Sequence, residues 1–262
     1  EEMTAKIKNL LNMPYEIFFY GNDFNAFKKY AKPFVEKETI KAPEKKNYPE
    51  PATEGKVFFT NYDMVQTEMS KVGKGNNVNL KNLGKINVFN EYFGRGLSSI
   101  VFQEIRESKS LAYSAYVSYA SNGELNHPDY VTTYIGTQAN KLPQAVNAMD
   151  ELMANLPQVP AQFENAKNAA LKQIASGRIN RTNIFFNQMN LKKLGIDYDL
   201  RKDMYAEIEK LTLADVTNFY NNEVKPMKYN TAIIGKKENL DMSAINKMGT
   251  FQEVSLEEIF GY

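Results

Sequence analysis

Residues 90–119 constrain the fold of this 262-residue chain more than any other segment. Their apolar spacing predicts the end of one helix, a short turn, a second helix and then an alternating strand that opens at Ala112. We expect Gly94 to cap the first helix, because glycine enters the left-handed region of backbone space at little cost. Ser98 or Ser99 is the expected N-cap of the second helix. The segment therefore predicts helices packed against a sheet.

The same reasoning extends to the rest of the chain. We predict that strands at 56–62 and 65–72 are joined by a short turn, and that residues 73–77 form a glycine-containing loop. Further strands are predicted at 15–20, 112–120, 130–136 and 229–234, and helices at 1–12, 24–35, 79–93, 99–108, 141–155, 160–176, 183–194, 200–207 and 212–222. Together these elements predict an α+β fold, with a mostly antiparallel sheet packed against helices.

An internal similarity bears on the domain organisation. Residues 14–21 and 228–235 each read as a buried strand that ends in glycine. One interpretation is that the chain contains parts of two homologous domains, and the other is a coincidence between two ordinary strand–turn–helix units. Under the first, residues 1–36 are the closing strand and helix of a preceding homologous domain, 37–55 are a linker, and 56–262 are the main domain. The sequence begins within a predicted helix, so we expect it to belong to a longer protein.

Composition and charge narrow the function classes. The chain has 32 basic and 31 acidic residues, a balance that does not indicate nucleic-acid binding. No apolar run reaches the roughly 18 residues of a membrane-spanning helix, so no membrane partner is expected. Cysteine is absent and His127 is the single histidine, so we expect no catalytic metal site here and a solvent-facing loop around His127. A cysteine-free chain suits the cytoplasm and the periplasm equally, which leaves the compartment open.

Arg106 and Tyr113 are the candidate catalytic and substrate-binding residues. They lie seven residues apart, one at the end of a predicted helix and the other at the start of a predicted strand. A guanidinium and a phenol brought together there could both donate hydrogen bonds to one carbonyl oxygen. The residues alone leave a structural alternative open, in which Arg106 pairs with Glu104 or Glu107 and Tyr113 is an interior aromatic of the strand.

Residues 94–99 also have the composition of a phosphate-binding loop at a helix N-terminus. The loop follows a helix rather than a strand, and it lacks the lysine of a nucleotide-binding P-loop. Helix capping accounts for the glycines and serines more simply. A nucleotide-binding domain is therefore a third function class with little support.

The segment from residue 84 to 119 resembles the second halves of inverted-motif zinc peptidases of the pitrilysin type. In those proteins a helix, a glycine-serine turn and a helix ending in Arg-Glu precede a Leu-Ala-Tyr that opens a strand. Looser similarity covers residues 56–236. The positions that carry the resemblance are Asn90, Gly94, Gly96, Ser98, Ser99, Phe102, Gln103, Glu104, Arg106, Glu107, Leu111, Ala112 and Tyr113.

The resemblance implies a function shared between two halves of a protein. Zinc is expected in an N-terminal half that is absent here, and no cofactor is expected in this chain. This half would close the substrate chamber, with Arg106 and Tyr113 donating to the scissile carbonyl of a peptide or unfolded-protein substrate. Its partner would be the catalytic half, in cis or as a separate subunit, and the chain alone is expected to be inactive. The alternative is a binding or structural subunit with the same fold, as in the core subunits of the respiratory cytochrome bc complex.

Overall fold

The computed structural model describes residues 1–35, 44 and 46–261. The chain forms two compact units. The first comprises Glu1–Pro51 and Ile179–Asn187, and the second comprises Ala52–Arg178 and Gln188–Tyr262. Much of the predicted linker, 37–55, lies outside the described residues, and the domain extents given above stay predictions.

The first unit is small and has little interior. Its helices are α1, Glu2–Asn9, and α2, Phe24–Val35. In the segment between these helices, the ring of Phe19 stacks on that of Phe27 in α2, with ring centroids 4.3 Å apart. Among the residues of this unit whose burial is described, Ala31 alone is buried. The unit is therefore held by a few aromatic contacts rather than by a core.

The predicted buried strand at residues 15–20 is wrong. This segment has no regular secondary structure, and Phe18 and Tyr20 are 42% and 58% exposed. The described part of the first unit contains no strand, so the segment has no backbone partner with which to form a ladder. Its aromatic residues make ring contacts instead, as between Phe18 and Phe185, whose centroids are 4.8 Å apart.

The second unit is built on a mixed sheet. Within the described residues, six strands pair in the order β3-β4-β2-β5-β1-β6. Three of the pairings, β2 with β4, β2 with β5 and β3 with β4, are antiparallel, while β1 runs parallel to both β5 and β6. The strands are β1 Lys56–Asn61, β2 Thr67–Asn77, β3 Ser114–Ala120, β4 Pro128–Thr137, β5 Tyr229–Gly235 and β6 Thr250–Glu253. This arrangement confirms the predicted α+β fold with a mostly antiparallel sheet.

The strand order shows pairings that the local predictions did not address, and the length of β2 corrects one of those predictions. β1 and β2 follow each other along the chain, yet β5 lies between them. β5 pairs with β2 along one edge and with β1 along the other, so its backbone is hydrogen-bonded on both sides. The predicted loop at 73–77 is the second half of β2, where Gly73 makes room for the ring of Tyr229 on the neighbouring strand.

Helices cover one face of this sheet. Their apolar faces form one core with Val57, Phe59, Met69, Val117 and Ile135 of the strands. π-Helical turns follow α3 and α8 at Asn90–Gly94 and Tyr220–Val224, and a third spans Phe102–Ser108. The helices after α2 are α3 Leu83–Phe89, α4 Leu142–Ala154, α5 Pro160–Ser176, α6 Asn183–Lys193, α7 Arg201–Lys210, α8 Leu213–Phe219, α9 Met242–Asn246 and α10 Leu256–Phe260.

The end of the α3 segment is fastened to the outer edge of β3. The side chain of Asn90 donates to the carbonyl of Tyr119 at 2.9 Å and accepts from its amide at 2.8 Å. A Cβ added to Gly94 would lie 1.9 Å from the carbonyl oxygen of Val117. The predicted reason for Gly94 is therefore wrong: the left-handed residue of this turn is Gly96, with φ of 84°, and Gly94 permits close approach of helix and strand.

Candidate functional site

Arg106 lies on the π-helical turn that leads into β3. Its guanidinium sits over the ring of Phe102, 4.8 Å from the centroid. Its Nε is 3.7 Å from Oε1 of Glu107, and both side chains are about half exposed, so this ion pair is weak. The alternative in which Arg106 pairs with Glu107 is thus present in the structure, but it leaves most of the guanidinium available to a ligand.

A tight turn connects Arg106 to Tyr113. Ser110 adopts a left-handed conformation with φ of 50°, and the amide of Leu111 returns to the carbonyl of Ile105 at 2.9 Å. A non-glycine residue in this conformation costs about 1 kcal/mol, which surrounding contacts must offset. Two side chains at and just after the end of β4 supply such contacts. Lys141 donates to the carbonyl of Ser110 at 3.1 Å, and Thr137 donates to that of Leu111 at 2.5 Å.

Tyr113 stands at the entrance of β3. Its amide donates to the carbonyl of Gly136 at 2.9 Å, which fixes the backbone against β4. The ring is 51% exposed, so Tyr113 is not the interior aromatic of the structural alternative. The side-chain amide of Gln138 donates to the hydroxyl oxygen of Tyr113 at 2.9 Å. The phenol is therefore an acceptor in this bond, and its own proton is available to a further acceptor.

Arg106 and Tyr113 line the same open cavity, as the spacing predicted. Its volume is about 440 Å³. The wall is rich in hydrogen-bond donors, and the lining residues are Arg106, Glu107, Ser110, Leu111, Ala112, Tyr113, Thr137, Gln138 and Lys141. A carbonyl or carboxylate oxygen placed in this cavity would meet two cations and a phenol.

Sequence reasoning missed Gln138 and Lys141. They follow the strand now defined as β4, and polar residues after a strand read as an ordinary loop. A signal was nevertheless present, because β3 and β4 form an antiparallel pair in which Ser114 faces Gly136. Residues that follow the second strand of such a pair lie beside those that precede the first, which here include Tyr113.

The glycine-rich turn at 94–99 is a connection between helices. The guanidinium of Arg95 hydrogen-bonds the hydroxyl of Ser118 on β3. Ser99 accepts from the amide of Phe102 at 3.4 Å and donates to the carbonyl of Gly96 at 2.9 Å, so it caps the following helix as predicted. These contacts explain the segment without a phosphate ligand.

The residues that the structure describes do not fit a zinc site. Across the described ranges, no group of three or more His, Cys, Asp or Glu side chains is placed to hold a metal ion. His127 lies in the loop between β3 and β4 with its Nε2 3.8 Å from Glu124, and its side chain is 40% exposed. Over the same described ranges, no helix combines the length and apolar character needed to span a bilayer.

A second polar cluster lies at the other end of β3 and β4. Asp129 is 2% exposed, and the amide of Asn122 donates to its carboxyl group at 2.8 Å. Burial is the main cause that raises the pKa of Asp129 above the usual carboxyl range, and the bond from Asn122 opposes it. Burial, followed by the charge of Asp129, raises the pKa of the Tyr119 phenol. This cluster is remote from the cavity along both strands.

The fold and the cavity define an α+β domain whose helix-to-strand junction presents an arginine and a tyrosine. A family model described as the Peptidase M16 inactive domain matches residues 15–170, which is more than half of the chain. The chain belongs to the Peptidase M16 inactive domain family. The resemblance read from residues 84–119 is thereby confirmed.

Relatives and solved structures agree with this assignment. The chain is 37% identical over 97 residues, 36% of its length, to "Uncharacterized zinc protease YmxG" of Bacillus subtilis (strain 168), of which the match covers 23%. A protease from Helicobacter pylori is similar with a TM-score of 0.63 at 17% identity, over 82% of this chain and 53% of that one. Complex III2 from Candida albicans, with Inz-5 bound, contains a similar chain with a TM-score of 0.59 at 15% identity, over 88% of this chain and 57% of that one. The chain thus spans about half the length of these two solved chains, and at such identities the likeness shows the fold alone.

Proposed function

We propose that this chain is the metal-free half of a zinc endopeptidase. In this role it closes the substrate chamber, and Arg106 and Tyr113 donate hydrogen bonds to the scissile carbonyl oxygen of a peptide. Zinc belongs to the other half, in cis or as a partner subunit. The observation that carries the proposal is the shared cavity, in which both donors face the same space beside the turn held by Ser110.

The hydrogen bond proposed for Tyr113 stabilises the transition state more than the bound substrate. Its hydroxyl oxygen accepts from Gln138, which leaves the hydroxyl proton for donation to a substrate oxygen. A hydrogen bond to an oxygen that gains negative charge becomes stronger as the charge develops, which lowers the barrier rather than tightening substrate binding. Arg106 carries a permanent charge, so it contacts the ground-state carbonyl as well. The two residues therefore predict different kinetic consequences when each is removed.

The test is steady-state kinetics of the complete two-half protein on peptide substrates. Tyr113→Phe should lower kcat by roughly 100-fold or more with little change in KM. Arg106→Ala should lower kcat and raise KM, because it removes a ground-state contact as well. The matched controls are Tyr116→Phe, a half-exposed tyrosine on β3 outside the cavity, and Arg178→Ala, an exposed arginine.

Thermal stability and zinc content should match the unsubstituted protein in all four variants. Full kcat/KM in both Tyr113→Phe and Arg106→Ala would make the pair structural. The second candidate, a binding or structural subunit of the same fold, would then be the better one. The likeness to a chain of complex III2 supports that candidate at the level of fold.

A further inference from the structure

Lys141 is a second cation in the wall of the cavity. It ends the helical turn Ala139–Lys141 that follows β4, and it lines the same space as Arg106 and Tyr113. Its ammonium group donates to the carbonyl of Ser110 at 3.1 Å, which uses one of its three donors. Among the described residues, no carboxylate forms an ion pair with Lys141. Two donors and an uncompensated charge therefore remain beside the proposed reaction site.

The charges of the wall do not cancel. Arg106 and Lys141 are the cations, and Glu107 is the one carboxylate among the lining residues. Glu107 faces Arg106 across 3.7 Å, and both are about half exposed, so it offsets at most one of the two charges. A concave surface with a net positive charge concentrates anions and selects for them. The neutral groups of Tyr113 and Gln138 that point into the cavity add donors, not a competing charge.

We propose that Lys141 binds a carboxylate of the peptide substrate close to the scissile bond, so that the site prefers acidic peptides. The inference rests on the proposed function, since Arg106 is then occupied with the scissile carbonyl and Lys141 is the cation that remains. The carboxylate has two sources, an aspartate or glutamate side chain or the free C-terminus of the peptide. Both present the same group to an ammonium donor.

The experiment uses matched peptides that differ at one residue next to the cleaved bond, Glu, Gln or Lys. Each is prepared with a free and with an amidated C-terminus, which distinguishes the two sources of the carboxylate. The variants are Lys141→Met, Lys141→Arg and Lys141→Glu, with Lys109→Glu as a control that makes the same charge change outside the cavity. kcat/KM is measured on the complete protein. Fluorescence anisotropy with labelled peptides measures affinity for the 262-residue chain without turnover.

The unsubstituted protein should prefer a carboxylate-bearing peptide by roughly fivefold in both measurements, the size expected for a partly exposed charge pair. Lys141→Met should abolish the preference, Lys141→Arg should retain it, and Lys141→Glu should shift it to the lysine peptide. Lys109→Glu should leave most of it in place. An unchanged preference in Lys141→Glu, or equal shifts in Lys141→Glu and Lys109→Glu, would overturn the proposal.

This result is separable from a failure of the proposed function. If hydrolysis responds to Tyr113→Phe and Arg106→Ala but shows no acidic preference, the inference about Lys141 is wrong and the catalytic proposal stands. If hydrolysis is indifferent to Tyr113 and Arg106, the catalytic proposal fails. An acidic preference in anisotropy would in that case still report a carboxylate site at Lys141.

Discussion

At the scale of single residues, the carboxyl group of Asp129 is the most thoroughly buried acid described in the second unit. The hydroxyl groups of Ser121 and Tyr119 donate to it alongside the amide of Asn122. Burial nevertheless dominates, and the nearby charge of Glu223 acts in the same direction, so the pKa of Asp129 is raised. The folded protein therefore holds this proton more tightly than the unfolded chain does.

The raised pKa of Asp129 predicts that its contribution to the unfolding free energy falls as the pH rises. The stabilisation from the proton on Asp129 is fully present below the ordinary carboxyl pKa of about 4, and it is lost as the pH rises through the higher pKa of the folded state. Asp129→Asn removes the titration. The unfolding free energy of the variant, relative to the native chain, should therefore increase from about pH 4 to about pH 7. Paired urea denaturation at both pH values measures it, and a pH-independent difference would contradict the raised pKa.

The sequence could predict that Arg106 and Tyr113 lie in one place, because their spacing joins a helix end to a strand start. Their catalytic role stays a prediction. Gln138 and Lys141 could not be predicted as cavity residues. Their position beside Tyr113 depends on the pairing of β3 with β4, which no single segment of sequence displays. The burial of Asp129 could not be predicted, because a single acidic residue at the start of a strand is usually exposed. Its burial depends on the residues that surround it in the fold.

At the scale of elements, two features join the α3 segment to β3. The side chain of Asn90 hydrogen-bonds the backbone of Tyr119, and Gly94 allows close approach to Val117. Gly94→Ala would place a methyl group 1.9 Å from a backbone oxygen of Val117, and neither the helix nor the strand can yield easily. We expect a loss of about 2–4 kcal/mol in unfolding free energy. Chemical denaturation of the second unit, followed by circular dichroism, measures this loss.

Gly123→Ala is the matched control, since an added Cβ there has no atom within 4 Å and its φ is not in the left-handed region. Its unfolding free energy should change by less than about 0.5 kcal/mol. Equal stability of the two variants would show that the backbones separate at little cost at Gly94. The outer edge of β3 would then be less rigid than its contacts indicate.

Elements defined by local periodicity could be predicted from the sequence, and their partners could not. The helices of the second unit up to α8 were anticipated because of their apolar spacing, whereas α9 and α10, of five residues each, were missed. The placement of β1 beside β5, rather than beside β2, depends on pairing between segments more than 150 residues apart, which no local pattern displays. Gly73 was misread for a related reason, since it serves the ring of Tyr229 and not a turn. The short strand β6 was missed because four residues give too little pattern.

At the scale of the whole molecule, the first unit has too little interior to be stable alone. α1 has 8 residues, well below the roughly 12–15 that an isolated helix needs in water. Only Ala31 is buried among the residues of that unit whose burial is described. A peptide of residues 1–40 should therefore lose its helical signal gradually on heating.

A protein of residues 52–262, which contains the core, should instead show a sigmoidal transition under the same conditions. Circular dichroism between about 5 and about 90 °C distinguishes a gradual loss from a cooperative one. A sharp transition in the peptide of residues 1–40 would mean that this segment is a domain in its own right. The hypothesis that it closes a preceding homologous domain would then lose its physical basis.

The position of β1 in the sheet has a consequence for folding during translation. β1 is made early, yet both of its neighbours in the sheet, β5 and β6, are made near the end of the second unit. Thr60 of β1 and its hydrogen-bonding partner Val254 are 194 residues apart in sequence. At typical translation rates this separation corresponds to a wait on the order of 10–40 s. Throughout that time Val57 and Phe59, which end in the core, are exposed on a nascent strand without partners, so this segment is where a chaperone would be needed.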